Sequence, residues 1–144
     1  MTFSLISHFT AIRIESKLTQ GYEYGKSATF EWIITYSKEE NNVKNIILDM
    51  YKDGKNVRVG INSVMKKDVI PKERASITID LYKVLVTIHK LRYDDYFNFT
   101  LTAVEQNDNF QVVAKEKKQM AITEVRGKLY CSIRPVQCIF RIFV

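Results

Sequence analysis

Cysteine, proline, glycine and histidine are all scarce in this chain: two cysteines, two prolines, five glycines and two histidines in 144 residues, with one tryptophan. With so little proline and glycine the chain is not fibrous, and two cysteines alone cannot complete a tetrahedral zinc site. His8 and His89 lie far from the cysteines in sequence and read as ordinary structural side chains. No Gly-rich phosphate loop, His-Glu-x-x-His helix or Gly-x-Ser-x-Gly elbow is present, so no enzyme, metal or cofactor is expected. The adjacent carboxylates Asp94 and Asp95 are explained more simply as a chain corner than as an acid–base pair. No stretch approaches the ~20 apolar residues of a membrane helix, and residues 2–8 lack the long apolar region of a secretion signal. A secreted or anchored form would carry its leader and anchor outside these residues, with Met1 an added initiator.

What the chain does have is apolar mass. Hydrophobic residues make up 46% and aromatics 12%, which excludes a disordered chain, and the length suits one domain that buries its core without cross-links. The net charge is +6 and the pI near 9.3, yet the 22 basic residues are scattered among 16 acids. Lys66-Lys67 and Lys115-Glu116-Lys117-Lys118 are the densest clusters and read as solvated edges, which also discourage sheet-to-sheet aggregation.

The dominant pattern is alternation with period two, the signature of strands with one buried face. Ala28, Phe30, Trp32 and Ile34 alternate with Thr29, Glu31, Ile33 and Thr35. Val84, Val86 and Ile88 alternate with Leu85 and Thr87; a polar corner follows, and Phe97, Phe99 and Leu101 alternate with Asn98, Thr100 and Thr102. A first β region runs from Phe3 to Ile14, Val57, Val59 and Ile61 alternate in a short strand, and Val64, Val69 and Ile70 are the expected buried points of the irregular stretch before Pro71. Glu105-Gln106-Asn107-Asp108-Asn109 reads as an exposed hairpin loop, followed by two strand pieces, Gln111–Ala114 and Gln119–Val125. Phe30, Trp32, Phe97 and Phe99 fall on the buried faces, which argues against base stacking and hence against nucleic-acid binding, the remote alternative. A ligand-holding β-barrel would alternate similarly.

Several of these stretches resemble the immunoglobulin superfamily. Val86, Ile88, Leu91, Asp95, Phe99 and Leu101 take the places of its strand E to strand F pattern, without the cysteine. Gly25 to Trp32 is similar to its strand B, with Trp32 where the first cysteine belongs. Val43–Lys55 is similar to strand C, with Met50 at the tryptophan position and Lys52-Asp53-Gly54-Lys55 as a hairpin turn. Arg74–Ile79 resembles strand D of variable-type domains, whose arginine pairs with the corner aspartate, so an Arg74–Asp95 ion pair is expected.

The resemblance implies an all-β, V-set-like immunoglobulin sandwich over residues 1–125 without the central inter-sheet disulfide. Trp32, Met50, Leu101 and Phe99 would fill the place of that disulfide; Trp32 as an ordinary core aromatic of another β fold is the alternative. Residues 126–144 form an extension read as two strands about Arg134-Pro135, where Cys131 and Cys138 pair or remain free thiols. Asn98-Phe99-Thr100 matches the glycosylation sequon, with Asn98 on the face away from the core. The missing cysteines and tryptophan, the Arg74–Asp95 corner and the cysteine-bearing extension resemble the membrane-distal domain of allorecognition receptors of colonial hydroids. Members of that family are type I membrane proteins that bind the same allele homophilically. The implied function is extracellular, homophilic cell–cell recognition, or alternatively heterophilic ligand binding, through surfaces carrying Lys52, Asp53, Lys55, Arg58, Glu105, Gln106, Asn107, Asp108 and Asn109.

Overall fold

The computed structural model describes residues 12–18, 22–36, 42–66 and 69–127, and every regular element among them is a β-strand. The strands are β1 (Ile12–Leu18), β2 (Ala28–Tyr36), β3 (Val43–Lys52), β4 (Lys55–Ile61), β5 (Val64–Met65), β6 (Ala75–Ile79), β7 (Lys83–Ile88), β8 (Phe97–Gln106) and β9 (Val112–Ile122). They form two antiparallel sheets, β1-β2-β7-β6 and β5-β4-β3-β8-β9, packed face to face as an all-β sandwich. Cys131, Cys138, the strands expected around Arg134-Pro135 and the start of the first β region lie outside the described residues.

Alternation decides which face of each strand is buried. Phe30, Trp32 and Ile34 of β2 and Val84, Val86 and Ile88 of β7 point inward from one sheet; Ile46, Leu48 and Met50 of β3 and Phe99, Leu101 and Ala103 of β8 meet them from the other. A slip of one residue would turn any of these sets to water, so the apolar pattern sets the register. At the centre the Trp32 indole stacks on Phe30, with centroids 5.9 Å apart, and meets the edge of Phe99 from the opposite sheet at 6.4 Å and 83°. Phe30 and Phe99 also touch edge-on at 5.0 Å. Met50 and Leu101 are buried in the same core, paired across β3–β8 with Phe99 and Leu48.

One end of the sandwich is tied by charge. Arg74, just before β6, forks onto Asp95, just before β8, with Nη2–Oδ2 at 2.5 Å and Nη1–Oδ1 at 3.3 Å. The two side chains are only 15% and 11% exposed. Asp95 Oδ2 also accepts the backbone N–H of Arg92, which fixes the corner leading into β8. Nearby, the segment after β1 leaves its sheet: Tyr24 N–H donates to Arg126 O and Arg126 N–H to Tyr22 O, a parallel bridge along the chain that follows β9.

Two expectations, on Val64 and Ile61, are corrected, and the last strand is completed. Val64 is 71% exposed, because β5 is a two-residue edge whose outward residue has no sheet above it. The two pieces expected after the hairpin are one strand, β9, continuous through the solvated edge Lys115-Glu116-Lys117-Lys118, which as a sheet edge with most residues exposed has no buried face to impose alternation. Ile61 does not share the inward face of Val57 and Val59. The β3–β4 register jumps between Leu48–Gly60 and Asp49–Arg58, leaving Val59 as the extra residue of a bulge, and beyond it Ile61 points outward, 41% exposed.

The β3–β4 turn has positive φ at both central residues, Asp53 at 53° and Gly54 at 82°, the geometry of a tight two-residue hairpin. Gly60, beside the bulge, is needed for space: a Cβ there would meet Ile79 Cδ1 at 2.9 Å and the Val64 carbonyl oxygen at 3.0 Å. Gly60→Ala is expected to cost about 1–3 kcal/mol through overpacking, read from urea unfolding. A loss below a few tenths of that would show that the edge strand moves aside freely.

Candidate functional site

The outer face of the five-stranded sheet is the surface with the most unusual composition. Residues opposite one another in adjacent strands share a face, so the registers define its rows directly. One row reads Val64–Ile61–Ile47–Thr102–Lys117 from β5 to β9. The next reads Arg58–Asp49–Thr100–Gln119, with Arg58 Nε donating to Asp49 Oδ1 at 2.6 Å. Toward the other end lie Asn45–Val104–Lys115 and then Val43–Gln106–Val112. Val64 and Ile61 are exposed in the first of these rows and Val43 and Val112 in the last, so aliphatic side chains reach water on a face that also carries Asp49, Arg58, Lys115 and Lys117.

A chain of side-chain amides braces one end of this face. Asn62 Nδ2 donates to Asn45 Oδ1 at 3.1 Å, Asn45 Nδ2 to Gln106 Oε1 at 3.2 Å, and Gln106 Nε2 to the Phe110 carbonyl at 3.4 Å. Asn62 Oδ1 in turn accepts the N–H of Ile46 at 2.8 Å while Asn62 holds a left-handed backbone, φ 54°. The β4–β5 turn, β3 and the β8–β9 hairpin are thereby joined by side chains as well as by strand pairing.

The residues expected to bind do not form one site. Val43 pairs with Gln106 at one end of β3–β8 and Met50 with Phe99 toward the other. Lys52, Asp53 and Lys55 therefore sit in the β3–β4 turn at the end opposite the hairpin that carries Asn107, Asp108 and Asn109. Arg58 lies on the face between them, already paired with Asp49. Gln106 belongs to the amide chain.

Glu105 is corrected outright: it is 1% exposed, because β8 continues through Gln106 and the alternation of Phe99, Leu101 and Ala103 carries position 105 inward. Its Oε2 accepts from Asn42 Nδ2 at 3.3 Å. The neighbouring Tyr36 phenol donates to the Leu81 carbonyl at 2.6 Å; burial, reinforced by the Glu105 charge, holds its pKa well above the ordinary tyrosine value. This corner is structural in its contacts. Sequence reasoning took Ile61 and Val64 for core-facing positions and passed over Ile47; the run Ile46-Ile47-Leu48 was the visible signal, since it puts an aliphatic side chain on the outer face of the strand as well.

Asn98 sits on the same outer face, half-buried, its amide donating to Tyr96 Oη at 3.4 Å and its oxygen accepting from Gln119 Nε2 at 2.6 Å. No family model and no curated protein matches this chain. Among the described residues no group of His, Cys, Asp and Glu is arranged to hold a metal ion, and no helix is long and apolar enough to cross a membrane.

Proposed function

We propose that this chain is a variable-type, immunoglobulin-like recognition module that binds a second copy of itself on an opposing cell, in an allele-specific manner, through the outer face of the five-stranded sheet. The observation that carries the reading is the aliphatic row Val64–Ile61–Ile47, with Val64 and Ile61 exposed and Ile47 half-buried beside them, Ile61 being turned outward by the bulge at Val59. Contiguous exposed apolar surface of this kind marks an interaction site.

Three further features favour this reading. The two facing sheets, ordered β1-β2-β7-β6 and β5-β4-β3-β8-β9, support the variable-type reading, as does the largely buried Arg74–Asp95 pair that the resemblance led us to expect. Asp49 and Arg58 lie side by side on the face, so a two-fold arrangement of copies sets each charge near its opposite, which suits an isologous contact. The module belongs outside the cell in this reading, held by a membrane segment beyond these residues, with Cys131 bonded to Cys138. A glycan on Asn98 would stand at the end of the face away from the aliphatic row.

Beads coated with the domain test the proposal. Wild-type beads are expected to clump with one another and to ignore beads carrying a divergent allele, and Ile61→Glu with Val64→Glu should abolish clumping while the melting temperature stays within a few degrees, since both side chains are exposed. Beads that remain single at high coating density would refute self-recognition, and binding to a different cell-surface protein would then favour the heterophilic reading. Clumping that survives the double substitution would remove this face from the contact.

A further inference from the structure

Phe110 is the most exposed of the large hydrophobic side chains among the described residues, at 79%, and it sits at the tip of the β8–β9 hairpin with φ 59°. That backbone region suits glycine; a bulky residue held there, with its ring in water, points to a use for the ring. The loop is built to hold it. Asn107 O accepts from Phe110 N at 3.0 Å, and Asn107 Oδ1 accepts from Asn109 N at 2.9 Å and Gln111 N at 3.0 Å. Asp108, two residues earlier, is exposed and makes no ion pair among the described residues.

The opposite end of the sandwich carries the complement. A groove of about 280 Å³ opens there over Met50, Val69, Ile70 and Phe97, with Lys52 and Arg92 among its lining residues. Neither cation has an ion-pair partner among the described residues, whereas Arg74 beside them is committed to Asp95. An apolar floor with free positive charge fits an aromatic side chain next to a carboxylate.

We infer that copies of this chain join end to end, Phe110 of one copy entering the groove of the next with its Asp108 facing Arg92 and Lys52. The hairpin and the groove lie at opposite ends of β3 and β8, so the ring cannot reach its own groove. Such a heterologous contact propagates a row of copies and does not close a dimer. It uses neither Ile61 nor Val64, so it stands or falls separately from pairing through the sheet face.

Sedimentation velocity of a background carrying both Ile61→Glu and Val64→Glu, the pair chosen to disable the sheet face, tests it over rising concentration. The expected result is growth past the dimer. Phe110→Gly relieves the strained φ, so its melting temperature should be maintained or raised while association weakens by about 10-fold or more. Arg92→Glu alone and Asp108→Arg alone should each stay monomeric, and an equimolar mixture of the two should assemble again. A background protein that is monomeric at every concentration, assembly unchanged by Phe110→Gly, or a mixture that does not assemble would overturn the inference.

Discussion

Trp32→Ala is expected to remove about 3–5 kcal/mol of unfolding free energy, the range for deleting a large buried aromatic. Domains of this size have ~5–15 kcal/mol in total, so the variant should sit near the edge of folding at 37 °C. The indole is fully buried, and its ring contacts join the two sheets through Phe30 and Phe99. The sandwich therefore uses aromatic packing where a central cross-link is typically worth ~2–4 kcal/mol. Trp32→Phe should cost much less than Trp32→Ala. It keeps an aromatic ring and removes the indole N–H, which has no hydrogen-bond partner and costs ~1–3 kcal/mol where it stands. Urea unfolding followed by circular dichroism reads both variants. Equal losses for Phe and Ala would mean that filling the central volume is not what the indole contributes.

Asp95→Ala is expected to cost about 3–5 kcal/mol, because it strands a guanidinium that is mostly out of water. Arg74 and Asp95 enter from different sheets, so the loss should also free that end of the sandwich, seen as faster amide exchange at Arg92 and Asp95 relative to β2. Replacing both partners by apolar residues, Arg74→Met with Asp95→Leu, should cost less than the two single losses added together, since neither charge is then left alone. Strict additivity in this cycle would show the pair to be uncoupled, and its close geometry would then contribute nothing to stability.

Two kinds of information separate cleanly in this molecule. The buried faces of β2, β7 and β8 were legible because each is a central strand whose side chains alternate between a dry core and a wetter outer face, while β3 was read only through its resemblance. The Arg74–Asp95 pair was also visible, though only through a resemblance: nothing in composition links two residues that lie far apart along the chain. β9 was read at its two ends, but its continuity through residues 115–118 was not, because an edge stretch exposed to water has no alternation to read. Glu105 misled because its charge suggested a loop, while the strand's period carried it into the core.

By itself, then, the amino-acid order determined which side chains must leave water and that the chain is all-β, because burial follows a two-residue period that needs no partner to be recognised; that the strands close into two facing layers around Trp32 was read from the resemblance and decided by the fold. Only the folded arrangement decided what the surface presents. A single unpaired residue at Val59 rotates Ile61 onto the outer face, and the lengths of β3 and β8 carry the β3–β4 turn and the β8–β9 hairpin to opposite ends. Both outcomes depend on how strands are paired, and pairing joins residues that periodicity along one strand cannot relate.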